Sequence, residues 1–230
     1  MCIIYAKPRK VAPVSREVFE RMLTANPHGF AIAVSPPKGG AWKIFRTLDR
    51  GKALAQLLKV SAEEAVIMHA RIATHGSRTR DNCHGWRDTK SGIAFFHNGV
   101  LGIKNERDQT DSETFFRRIF SPLYAAGKWR LAAPAVNAVL NHTSKFAFAL
   151  PSGAMRLFGN FIEEGGAYFS NDSFRPASSR WRSYFDEMPE RRNASPAAAK
   201  KTEPPKAFRR TRGGFSESWD RLPETCEAPF

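Results

Sequence analysis

Cys2 owes its chemical interest to its position. Methionine is normally trimmed when the next side chain is small, and trimming here leaves one residue carrying both a thiol and the chain's free amine. A free thiol titrates near about 8.5 and an α-amine near about 7.7–8.0, so both sit close to neutrality. Nucleophile and base would then belong to one residue, the N-terminal-amine form of nucleophile activation. The same cysteine at the start of a strand also reads as a small buried hydrophobe.

Three downstream segments could complete such a site. Met68-His69-Ala70-Arg71-Ile72-Ala73-Thr74-His75-Gly76 is an apolar strand that ends in an arginine and opens into a polar loop. A guanidinium at a strand end can fork onto a carboxylate with two parallel hydrogen bonds; it can equally pair with a surface Asp. In Phe95-Phe96-His97-Asn98-Gly99 an aromatic strand ends in Asn-Gly. That pair makes a tight turn, or it offers an amide NH2 and a bare backbone N–H to a developing oxyanion. Thr110-Asp111-Ser112-Glu113 precedes an apolar helix and has the spacing of a capping box. Thr110 and Glu113 can close that cap while Asp111 presents its carboxylate to a cation.

Short strands and helices must position these groups. The pattern predicts a strand over residues 2–6, a helix capped by Ser15 and running to Ala25, and a hairpin of 29–35 with 42–47 about a Pro-Pro-Lys-Gly-Gly turn. Asp49 caps a helix to Leu58. A buried strand follows at 66–71, a polar loop at 74–88, and a strand at 93–97. Beyond lie a helix from about Asp111, another over 130–141, and strands at 145–150, 155–158 and 167–170. Helices set between hairpin-like strands suit a layered α/β or α+β body better than a doubly wound parallel sheet, and no Gly-rich phosphate loop is present.

The 230 residues are 42% hydrophobic and 25% charged, an ordinary globular mix. No apolar run nears the roughly 18 residues of a spanning helix and no secretory leader is recognisable, which predicts a soluble, cytoplasmic protein without membrane contact. Three distant cysteines (Cys2, Cys83, Cys226) argue against a disulfide framework or a structural zinc site. The net charge is +14, of which residues 1–173 carry +10. Its scatter reads as a solvated basic surface, with nucleic acid a weaker alternative. From residue 174 to 230 the chain is rich in Pro, Ser, Arg and Ala and reads as a loosely attached tail.

Taken in order, Met-Cys-Ile-Ile, HARIATHG, HNG and TDSE resemble the class II glutamine amidotransferase domain of the N-terminal nucleophile hydrolases, over residues 2–173. Asn26-Pro27-His28-Gly29 and Asn171-Asp172 are similar to that family's early and late strand boundaries. The resemblance implies a four-layer αββα sandwich. It implies Cys2 as the nucleophile toward the side-chain amide of glutamine, Asn98 and Gly99 as the oxyanion hole, Arg71 on the substrate carboxylate and Asp111 on its ammonium. Thr74, His75 and Gly76 would line the pocket. The implied course is a γ-glutamyl thioester that releases ammonia, then glutamate, with no metal or organic cofactor. Ile72, His28 and Gly85 depart from the family pattern, and His84 reads as a loop organiser. Since no long second domain follows, the expected ammonia acceptor is a synthetase on a separate chain. A stand-alone hydrolase of another γ-glutamyl amide is the nearest alternative; a non-catalytic module binding nucleic acid is the alternative of a different kind.

Overall fold

The computed structural model describes residues 2–73, 77–104 and 109–176, all within one compact unit, Met1–Arg180. Among the described residues ten strands form two sheets, and every strand pairing is antiparallel. The first sheet uses β1 (Ile3–Lys7), β2 (Phe30–Ser35), β3 (Lys43–Thr47), β4 (Ala65–Ala70), β9 (Ile162–Glu164) and β10 (Ala167–Phe169), in the order β3-β2-β4-β1-β10-β9. The second is β5-β6-β7-β8, from Trp86–Arg87, Ala94–Asn98, Lys145–Ala149 and Met155–Phe158. This is a mixed α/β body, as the sequence indicates. Two strands that the pattern did not predict, β5 and β9, have only two and three residues, too few to show a period.

Period-two alternation sorts each central strand between two apolar clusters. Ile3 and Tyr5 of β1, with Val66, Met68 and Ala70 of β4, join Phe19, Met22 and Leu23 of helix α1 (Arg16–Ala25) and Leu57 of α2 (Arg50–Leu57). Their neighbours Ile4, Ala6 and Ile67 turn the other way and meet Ala94, Phe96, Ala147 and Ala149 of the second sheet. Alanine dominates that cluster, and such small side chains let the sheets approach closely. By the same alternation His69 faces away from Met68 and Ala70, a placement with consequences for acid stability. The third cluster joins Phe95, Phe146 and Phe148 to Phe115, Phe116 and Phe120 of the helical stretch after Thr110.

That stretch comprises α3 (Asp111–Thr114), a π-helical segment Phe115–Phe120, and α4 (Ser121–Val139), which bends at Gly127 and Lys128. The helix expected at 130–141 is thus the part of α4 beyond the bend, where Lys128 takes φ +51°. Asp49 caps α2 by accepting from Lys52 N–H at 2.9 Å, whereas Ser15 makes no side-chain cap bond to α1. Phe174, placed by composition in the tail, is buried and stacks on Phe169 with ring centroids 3.8 Å apart. The ordered core therefore extends at least that far.

Lys7, fully buried at the end of β1, is a cation no pattern singled out. Its Nζ donates to Val11 O at 2.7 Å, Ala62 O at 3.0 Å and Pro8 O at 3.3 Å, tying the strand to two loops. Lys7→Met keeps the packing volume but strands three carbonyls. Chemical denaturation is expected to show a loss of about 2–4 kcal/mol.

Candidate active site

Cys2 leads into β1, and its half-buried thiol meets the chain just beyond β4. Sγ accepts from Ile72 N–H at 3.3 Å and lies 3.5 Å from Ile72 O, to which the protonated thiol can donate. Burial pushes the thiol's pKa up, while the Ile72 bond and the charge of Arg71 pull against that rise. A backbone N–H aimed at sulfur favours the thiolate once formed.

Arg71 is fixed by its backbone. Its N–H donates to Gly29 O at 2.8 Å, and its carbonyl accepts from His28 N–H at 2.9 Å. One ring nitrogen of His28, Nδ1, accepts from Ala73 N–H at 3.0 Å, so the residue that departs from the family pattern holds the segment leaving the strand. The buried guanidinium donates from Nη1 to Ser77 O at 2.9 Å. Thr74, His75 and Gly76 lie outside the described residues.

Asn98 ends β6, and Gly99 follows with φ +137°. A Cβ on Gly99 would stand 2.8 Å from both Cα and Oγ of Ser144 and 3.0 Å from His97 Nε2. Both space and backbone therefore demand glycine. Gly99→Ala is expected to destabilise the protein by about 2 kcal/mol or more, read as a lower urea midpoint with unchanged slope. The Asn98 Nδ2 donates to Ser170 Oγ at 2.8 Å, and its buried Oδ1 has no partner.

Thr110 caps α3 by accepting from Glu113 N–H at 3.2 Å, but Glu113 turns to Arg117 at 2.7 Å, so only half of a capping box forms. Asp111 Oδ2 accepts from Leu101 N–H at 2.6 Å, and Oδ1 accepts from Ser112 N–H at 2.7 Å. Its carboxylate thus already braces the loop after Gly99 while half-exposed.

Cys2, Arg71, Gly99 and Asp111 line one cavity of about 40 Å³, together with Ile72, His84, His97, Val100, Thr110 and Ser112. That is room for roughly one water. The structure brings these four sequence-nominated residues together; Asn98 is not in the cavity wall. His84 and His97 are, although the sequence reading gave His97 no role beyond its tripeptide. His97 Nδ1 lies 2.7 Å from Ser112 Oγ, and the His97 N–H donates to His84 Nδ1 at 3.1 Å, which makes His84 an organiser of its loop. His84 stacks on His69 with centroids 3.8 Å apart and planes within 5°. The signal for His97 was its alternation with Phe96 and Asn98, which aims it at the helix carrying Ser112. No group of His, Cys, Asp or Glu among the described residues is placed to hold a metal ion, and no helix among them is long and apolar enough to cross a membrane.

No family model matches this sequence, and no curated protein matches it. Among solved structures, the chain is similar to glutamine phosphoribosylpyrophosphate amidotransferase from B. subtilis complexed with ADP and GMP. The TM-score is 0.48 at 14% identity, over 74% of this chain and 41% of that one. The chain thus spans about two fifths of that protein's length.

Proposed function

We propose that this chain is an N-terminal-nucleophile amide hydrolase acting on glutamine, with Cys2 exposed by removal of Met1. One observation carries the reading: four residues picked from four separate segments for one reaction, Cys2, Arg71, Gly99 and Asp111, line a single cavity. In this reading the sheets and helices form a four-layer αββα sandwich over residues 1–173, closed by the buried Phe174, and the chain beyond it is a basic tail.

The α-amine of Cys2 takes the thiol proton, and the thiolate attacks the amide carbon of the substrate side chain. Gly99 N–H and Asn98 Nδ2 stabilise the oxyanion. Asn98 Nδ2 carries two N–H donors and spends one on Ser170 Oγ, whose oxygen also accepts from Ile4 N–H at 2.8 Å, so the second is the one offered to the oxyanion. Collapse breaks the C–N bond, the amine's proton leaves with ammonia, and water cleaves the γ-glutamyl thioester to glutamate. Arg71 holds the substrate carboxylate and Asp111 its ammonium, with Thr74, His75 and Gly76 as pocket-lining residues. The ammonia passes to a synthetase on another chain. A cavity of one-water size must widen to admit glutamine.

The test is intact-mass measurement before and after exposure to diazo-oxonorleucine, an electrophilic glutamine mimic, with Cys2→Ala alongside. Loss of Met1 and one adduct absent from the variant support the reading. Retained Met1, or no adduct on folded protein, overturns it.

A further inference from the structure

A second concavity lies apart from Cys2, where the edge strands of the two sheets, β3 and β5, come side by side. It is an open groove of about 560 Å³ lined by Ile44, Phe45, Arg46, Arg80, Asp81, Gly85 and Arg87. Its volume falls in the range of small-molecule sites. Three of its seven lining residues are arginines, and among the described residues none of the three forms an ion pair.

The groove is built rather than incidental. Arg46, half-buried on β3, reaches across to the second sheet and donates from Nη2 to Gly85 O at 2.6 Å. Arg87 Nη1 points toward Trp42 O at 3.4 Å. The loop carrying Arg80 is pinned by Cys83 N–H on Arg80 O at 3.1 Å and by the Trp86 indole on Asp81 O at 3.2 Å. Each guanidinium has five N–H donors, so one backbone bond leaves Arg46 and Arg87 with most of theirs available. Gly85, with φ +80°, lies against Phe96 and Ile44, where a Cβ would come within 3.0 Å and 3.3 Å of them.

The lining sets three cations against one carboxylate, Asp81; Glu113 and Arg117 also act on Arg46 but pair with each other, so the excess of about two positive charges stands and matches a phosphate group, which carries about −1.5 to −2 at neutral pH. Guanidinium forks fit phosphate oxygens in pairs. A nucleic-acid strand is a poorer fit, because the groove offers no exposed ring for base stacking: Trp86 is buried and Phe45 packs into the core. We infer that this groove binds a phosphate-bearing small molecule, with Arg46, Arg80 and Arg87 holding the phosphate.

Calorimetric titration of the full chain with pyrophosphate tests this, comparing wild type, the double variant Arg80→Gln/Arg87→Gln and a control, Lys52→Gln/Lys59→Gln, that removes equal charge from α2 and its end. Saturable one-site binding is expected in wild type and control, weakened at least about tenfold in the groove variant. Both groove arginines are exposed, so the variant is expected to fold, as circular dichroism will show. No binding by wild type, or equal weakening in the control, overturns the inference by reducing it to general attraction to a basic protein. Binding of citrate without pyrophosphate overturns the phosphate assignment. Groove-dependent binding of a single-stranded oligonucleotide that pyrophosphate does not displace overturns it in favour of nucleic acid.

Discussion

On the proposed mechanism, Cys2→Ala is expected to lower glutamine hydrolysis by at least about 10⁴-fold in kcat while leaving the fold intact. The side chain is small and half-buried, so its loss removes a sulfur and little packing. A second variant separates the thiol's role from the amine's. A chain with an uncleavable N-terminal extension keeps Cys2 in β1's lead-in but carries its amine elsewhere, and is expected to lose about 10²–10⁴-fold. The pH profile gives an independent reading. Burial raises the thiol's pKa, so alkylation of Cys2 by iodoacetamide is expected to keep accelerating above the range where a free cysteine levels off. Full activity in Cys2→Ala, or in the extended chain, defeats the N-terminal mechanism whatever the alkylation data say.

The strands that carry the candidate site were legible because buried strands alternate on a period of two, and β1, β2, β4, β6 and β7 are long enough to show it. Their ends bear Cys2, Arg71, Asn98 and Gly99, which explains why residues so far apart along the chain could be nominated together. Partner choice was not legible. Nothing local indicates that Asp111 spends its carboxylate on Leu101 or that Asn98 meets Ser170, since each depends on how loops close. The arginine groove was invisible for the same reason. Arg46 and Arg87 are scattered surface cations until two sheet edges come together, and only then does charge read as a site.

Falling pH is expected to unfold this protein early, because three histidines are buried as neutral rings. Desolvation lowers the pKa of His69 to about 3 and of His97 to about 4, and holds His84 well below its usual range. In the unfolded chain each titrates near about 6.5. Between those limits the unfolded state binds more protons, so stability is full above about pH 6.5 and drains away as pH falls toward 4. Each ring contributes up to about 1.4 kcal/mol per pH unit, and three together remove on the order of 5 kcal/mol by pH 5, comparable to the stability of a typical domain. Neither His69 nitrogen makes a well-formed hydrogen bond, and its contact with the His97 backbone offsets only part of the cost of burial. His97 differs, since the charge of Asp111 partly offsets its burial. Urea midpoints measured at pH 7.5, 6 and 5 should fall steeply, and His69→Phe, which keeps a ring against His84, should flatten the fall by about a third. A flat profile in the wild-type protein would mean that one or more of these rings is charged in the folded state. Because His84 and His97 wall the same cavity as Cys2, loss of the thiol's reactivity toward a glutamine mimic is expected to track this unfolding on the acid side.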